Sequence, residues 1–100
     1  MEIKIENIEN ETLVRLTGRL DTATAAEFEK AIAPVLQSDM NHVILDCSDF
    51  EYISSSGLRL FLVIQKTALA KNGSVTIRKM NAEIKSVFDM TGFTALFSFE

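Results

Sequence analysis

Three serines and a glycine, Ser54-Ser55-Ser56-Gly57, stand directly before the most apolar run of the chain, Leu58 to Ile64, which only Arg59 interrupts. A serine hydroxyl can cap a helix, attack a carbonyl or accept a phosphoryl group. Attack needs a general base, and the chain holds one histidine, His42. His42 begins the β-branched run "HVILD", whose other end is Asp46, so it stands at the opposite end of the sheet from the serines. It reads as a strand-edge residue. The strained strand-to-helix elbow of serine hydrolases carries G-x-S-x-G, which is absent. Cys47 paired with His42 fails for the same reason of distance, and a cysteine closing a buried strand is ordinarily inert core. Asp46, Asp49 and Glu51 read as a solvated acidic loop, since no His/Cys/Asp/Glu grouping has metal-ligand spacing. No G-x-x-x-x-G-K-[ST] loop is present to cradle a nucleotide phosphate. The residues call for no cofactor and make a serine-dependent hydrolase the weakest class.

Binding chemistry suits the serines better. They stand between a buried strand and a buried helix, at the carboxyl end of the strand, where α/β sheets place their sites. A helix N-terminus carries unpaired N–H groups and a partial positive charge, which favour a capping oxygen or a phosphate. Ser54, Ser55 or Ser56 can cap, an ordinary role for serine that contributes ~1 kcal/mol. One serine is enough for that, so three followed by glycine exceed what capping needs. Gly57 lacks a Cβ and would let another molecule's backbone approach. Arg59 and Phe61 can contribute to a docking surface, although core packing is the safer reading of Phe61. Asp21 opens another helix, where its ordinary role is also a cap.

The elements that position these groups follow from periodicity. Ile3, Ile5 and Ile8 alternate weakly. "TLVRLTGRL" alternates again, with Leu13 or Val14 selecting the buried face, so the first two strands form a hairpin. Gly18 stands near its end, where a bulge is common. From Asp21 the period changes: Ala25, Phe28, Ile32 and Val35 or Leu36 share a helical face, and Thr24 with Glu27 makes a capping-box pattern. Pro34 predicts a kink or restart, because it removes a donor and crowds the preceding turn. "HVILDCS" is a buried strand and "DFEYI" a loop. A helix follows over Ser56 to Lys71, stopped by Lys71, Asn72 and Gly73. "SVTIRK" is a strand. "NAEIKSVFDMTG" is a helix capped by Asn81, with Ile84, Val87 and Phe88 inward and Gly92 as terminator. "FTALFSFE" supplies a short turn and a last strand.

The order β-β-α-β-α-β-α combines an antiparallel hairpin with right-handed parallel crossovers. The fold class is therefore α/β: one domain, residues 1–100, with a mixed four- to five-stranded sheet, N-terminal hairpin strands and helices packed on it. A chain of 100 residues, 47% hydrophobic and 24% charged, supports one core without staples. The lone cysteine cannot form an internal disulfide and fits a reducing compartment. A net charge of -4 argues against direct nucleic-acid binding. "MEIKIENIEN" lacks the features of a signal peptide, and no run is long enough to span a bilayer, so a cytoplasmic protein without membrane contact is expected.

"VILDCSDFEYISSSGLRLFL" resembles the signature of the STAS domain of bacterial anti-sigma factor antagonists: an apolar strand ending D-L-S, a short loop, then I/M-D-S-S-G-L opening a helix. "GRLDTATAAEFE" is similar to the family's G-x-L-D strand end and first helix. "MNAEIKSVFDMTGFTALF" is similar to its closing helix. These elements occur in order over nearly the whole chain. The resemblance implies a non-enzymatic binding switch. In the family, the serine before the glycine, here Ser56, is phosphorylated by an anti-sigma factor that is also a serine kinase. The unphosphorylated antagonist binds that kinase and frees the sigma factor; phosphorylation ends the binding, and a serine phosphatase restores it. Asp21 corresponds to the family's acidic residue near the phosphorylation site, and Ser55 to the preceding serine. With Ser54, Gly57, Leu58 and Arg59 they form the expected environment of the site, and a phosphate there would also lie near Asp46 and Asp49. One position departs: the family's aspartate two places before the phosphoserine is Ser54 here. That departure supports a second expectation, a non-phosphorylated STAS scaffold within a transporter or signalling complex.

Overall fold

Strands β1 (Glu2–Ile8) and β2 (Glu11–Leu20) form the expected antiparallel hairpin, Ile8 facing Glu11 across a turn in which Glu9 has φ 54. The computed structural model describes residues 1–39 and 42–100. Cross-strand partners share a face, so Ile3 and Ile5 lie on the side of Leu16 and Val14, which are buried. Val14 thus selects the core face. Leu13 is buried as well, on the opposite face beside Ile44.

Helix α1 (Ala25–Gln37) buries Phe28, Ile32 and Val35 at helical spacing. Two local details differ from the simplest expectation. Thr24 is the N-cap residue but caps no helical amide through its side chain. Its hydroxyl instead accepts from the Asp21 amide (3.0 Å) and donates to the Arg19 carbonyl (2.9 Å). The capping box gives way because the corner after β2 claims that hydroxyl. Pro34 does not restart the helix, which runs as one element through it to Gln37. Ile32 and Val35, buried on either side of the proline, hold the final turn against the core despite the missing donor.

Strand β3 (His42–Ile53) corrects a larger expectation, since "DFEYI" is strand rather than loop. It pairs in parallel with β2 at Arg15↔Asp46, then at Thr17↔Asp49, then at Gly18↔Phe50 and Arg19↔Tyr52. At each shift β3 carries one residue more than β2, which is a bulge. Each bulge resets the alternation, so Cys47, Phe50 and Ile53 are all buried although they stand three apart. Gly18, with φ +97, lies at the second shift, where a residue with a Cβ would be strained. The Asn81 side-chain amide donates to the Phe50 carbonyl at 3.1 Å, satisfying a carbonyl at that shift.

Helix α2 (Ser55–Ala70) leads through Asn72, which takes the left-handed conformation at φ 60, to β4 (Ser74–Arg78). Lys71 ties the end of α1 to this turn through the Leu36 and Ser38 carbonyls, at 2.8 and 2.7 Å. Helix α3 (Ala82–Thr91) is capped by Asn81, whose oxygen accepts from the Ile84 amide at 2.8 Å, and stops at Gly92 with φ 79. A single 3-10 turn (Phe93–Leu96) and β5 (Ser98–Phe99) close the chain.

The sheet order is β1-β2-β3-β4-β5, parallel after the hairpin. Sequential right-handed crossovers put α1, α2 and α3 on one face. Phe61 of α2 is fully buried at the centre of that layer, with ring centroids 6.0 Å from Phe28, 5.9 Å from Phe50 and 5.9 Å from Phe88. Phe61 is therefore core. The other face carries Arg15, Thr17 and Arg19, all exposed.

Candidate functional site

The ends of β2 and β3 lie side by side, with Leu20 opposite Ile53, and each strand turns into the start of a helix at that edge. The Ser54 amide donates to the Leu20 carbonyl at 2.8 Å, which joins the two corners. Asp21 follows Leu20, so the tertiary structure brings Asp21 and Ser54 together from distant parts of the chain.

Ser54 is the N-cap residue of α2: its hydroxyl oxygen accepts from the Gly57 amide at 3.2 Å, and its carbonyl accepts from the Leu58 amide at 2.9 Å. With the cap supplied by Ser54, the hydroxyls of Ser55 and Ser56 have no such commitment. Ser55 is exposed and Ser56 half-buried. Ser56 lines a shallow hollow of about 330 Å³ with Arg59 and Leu60 of α2, Thr22 of the turn before α1, and Ala25, Ala26 and Glu29 from the start of α1. Arg59 is exposed at this tip, whereas Leu58 is buried.

Gly57 serves a purpose other than the one expected. A Cβ there would lie 2.8 Å from the Ile53 side chain and 2.8 Å from Leu20. The glycine faces inward, is buried, and lets α2 close onto the ends of β2 and β3. It offers no surface to an outside backbone.

Asp21 organises the neighbouring corner. Its Oδ1 accepts from the Thr24 amide at 3.1 Å and the Ala23 amide at 3.0 Å. The Thr24 amide is the main reason its carboxyl is held below the ordinary value; partial desolvation opposes the shift, and Arg19 assists it. Asp21 thus remains a half-buried anion at the junction.

The other acids stand elsewhere. Asp46 is about seven residues before Ile53 on β3, roughly 20 Å from the tip at strand rise, and Asp49 is roughly 10 Å from it. The expected proximity of Asp46 to a phosphate on Ser56 is overturned, because the segment between them is extended strand. Desolvation raises the Asp46 carboxyl, but the Ser48 amide at 3.0 Å and hydroxyl at 2.7 Å, with Arg15 and Lys79, outweigh it and leave it lowered. Among the described residues no group of acids, His and Cys is arranged to hold a metal ion. His42 begins β3 and contacts the Ser74 hydroxyl at 3.0 Å, at the opposite end of the strand from the serines. Cys47 is buried, and desolvation pushes its thiol up to about 12. Neither can activate a serine at the tip.

Two features escaped the sequence reading. The α1 wall of the hollow, Ala25, Ala26 and Glu29, was legible only as a helical i, i+1, i+4 set with nothing to tie it to Ser56. A second hollow of about 200 Å³ lies on the α3 side, lined by Glu51, Tyr52, Ile53, Glu83, Ile84 and Val87. The Arg19 guanidinium stacks over the Tyr52 ring at 4.2 Å beside it. Reading Glu51 and Tyr52 as loop hid this wall.

The STAS domain family profile matches residues 2–100. The anti-sigma-B factor antagonist of Staphylococcus epidermidis is 29% identical over 98 residues, spanning 96% of this chain and 91% of the relative. A Thermotoga maritima crystal structure superposes with TM-score 0.90 at 19% identity, covering 97% of this chain and 84% of that one. The Bacillus cell fate determinant SpoIIAA, an anti-sigma factor antagonist, has been solved unphosphorylated (TM-score 0.78, 18% identity, 99% and 87% covered) and phosphorylated (TM-score 0.77, 18%, 99% and 91%). Among the described residues no helix is long and apolar enough to cross a membrane.

Proposed function

This chain belongs to the STAS domain family, and on that premise we propose that it is an anti-sigma factor antagonist, a binding protein switched by phosphorylation of Ser56. Unphosphorylated, it sequesters a serine-kinase anti-sigma factor in the cytoplasm; phosphorylated, it releases that partner; a serine phosphatase resets it. It acts by binding, without direct contact to nucleic acid or membrane. The observation that carries this reading is the division of labour among the serines. Ser54 takes the helix cap, which leaves the Ser56 hydroxyl without a hydrogen-bond partner among the described residues, at a donor-rich tip with Ser55 and Arg59 and with Asp21 at the adjoining corner.

The physics of such a switch is economical. A phosphate adds about −1.5 to −2 charge at neutral pH. Moving a complex from nearly all bound to nearly all free needs ~5.5 kcal/mol of differential affinity. Burying that charge in an interface next to the Asp21 carboxylate, with the accompanying clash and desolvation, is of the right size. Helix α2 need not refold, since Gly57, Leu58, Leu60 and Phe61 remain packed beneath the tip.

Protein recovered from its own cells should carry the mass of one phosphate, mapped to Ser56. In pull-downs, Ser56→Ala should hold the kinase partner and resist modification. Ser56→Asp should bind at least tenfold more weakly, about 1.4 kcal/mol. Equal binding by Ser56→Asp and the parent would sink the switch. Ser54 favours a second reading, a non-phosphorylated STAS scaffold in a transporter or signalling complex, because it lacks the charge of the family's aspartate. That reading expects no phosphate on Ser56 and a constitutive partner.

A further inference from the structure

Building on the phosphorylation of Ser56 proposed above, we infer that Arg59 is the intramolecular partner of that phosphate, so modification removes a cation from the helix tip as well as adding an anion. Ser56 and Arg59 stand three apart on α2 and line the same hollow. Residues at that spacing are neighbours on a helix surface, about 5–6 Å between Cβ atoms, and an anion N-terminal to a cation is the favourable order. Arg59 is exposed and, among the described residues, has no carboxylate within ion-pair distance. Its guanidinium is therefore available, and its planar fork matches phosphate oxygens two at a time.

The other charges around the site leave Arg59 as the cation of the hollow. Glu29, an acidic residue, lines it from α1. Asp21, at the adjoining corner, is held by the Ala23 and Thr24 amides. Ser54 brings no charge where the cap is made. A phosphate on Ser56 thus meets repulsion from Glu29 and, from the adjoining corner, Asp21, and attraction from Arg59 and the α2 N-terminus. In the unmodified protein the same guanidinium is presented to the surroundings; in the modified one it is engaged. A partner that reads the tip loses an accessible cation at the moment it meets a new anion.

The test installs phosphoserine at position 56 during translation, which requires no kinase, and follows the phosphorus-31 chemical shift of the purified protein against pH. The parent should titrate below the same phosphoprotein carrying Arg59→Gln by about 0.2–0.4 pH unit. Arg59→Lys, which keeps charge without the fork, should lie between them. Arg59 is exposed, so these variants should fold, and unmodified samples should give superimposable amide spectra. Identical titrations for parent and Arg59→Gln would overturn the contact. The two proposals fail separately. Phosphate found on Ser56 in cells without a titration difference removes the role of Arg59 and leaves the switch. A titration difference without phosphate in cells removes the switch and leaves the contact.

Discussion

At Gly57 one hydrogen atom decides how closely α2 meets the sheet. Alanine there would gain up to ~1 kcal/mol of helix propensity. It would also drive a methyl to 2.8 Å from Leu20 and Ile53, both buried with little room to move, and overpacking of this kind costs about 1–3 kcal/mol. The clash should win. Gly57→Ala is expected to lower stability by about 1–2 kcal/mol, read as a lower urea midpoint at unchanged m-value; an equal or higher midpoint would show that the strand ends yield. The glycine was legible in the sequence, but its direction was not. Spacing placed it at a helix start, and only the packing of Leu20 against Ile53 shows that its bare side faces inward. The serines behave the other way. Their position before an apolar helix was plain, and the structure distinguishes them by giving the cap to Ser54. The resemblance singled out Ser56, and the hollow adds Glu29 to its surroundings.

At the scale of elements, α1 and β3 depart most from expectation. Proline in a helix interior removes a hydrogen bond and crowds the carbonyl four residues back, at ~3 kcal/mol. Because α1 continues through Pro34, its packing bears that cost. Pro34→Ala should therefore stabilise the protein, by about 1–2 kcal/mol once the looser unfolded chain is allowed for. Thermal unfolding checks the sign: a Tm at or below the parent's would mean that the ring's place in the hollow it lines with Ile5, Thr12 and Val35 outweighs the backbone cost. In β3 the two bulges turn a period of two into a period of three over Cys47, Phe50 and Ile53. A pattern rule that expects alternation reads such a stretch as loop. The bulges are set by pairing with β2, a partner some thirty residues away in sequence, so no local window contains the information.

At the scale of the whole molecule, the sheet keeps one helix-covered face and one bare face, and titration reports on both. Cys47, on the covered face, has its thiol raised from 9.0 to about 12 by desolvation. The unfolded chain loses that proton near pH 9 and the folded protein near pH 12. Between those values stability should fall with rising pH, by up to about 1.4 kcal/mol per unit. Comparing urea midpoints of the parent and Cys47→Ala at neutral pH and near pH 10.5 isolates this from lysine titration. The parent should lose more stability, and parallel losses would contradict the burial. Native Cys47 should also resist thiol reagents at neutral pH. Asp21 and Asp46 act at the other extreme. Their folded values are lowered, so their contribution is present above about pH 4 and is lost as pH falls through the folded values.

The order of residues is enough to give the element types of the hairpin and the three helices, the identity of most core residues, and the serine-rich helix start at the carboxyl end of a strand. These are consequences of periodicity and capping chemistry, which act within a few residues. The rest came from packing: that β3 runs on to Ile53, that Asp21 joins Ser54 while Asp46 is carried roughly 20 Å away, that Gly57 faces the core, and that Glu29 of α1 shares a hollow with Ser56. Each depends on strand register or on helix-to-sheet packing. Those are settled by contacts between residues far apart in sequence, and no local pattern encodes them.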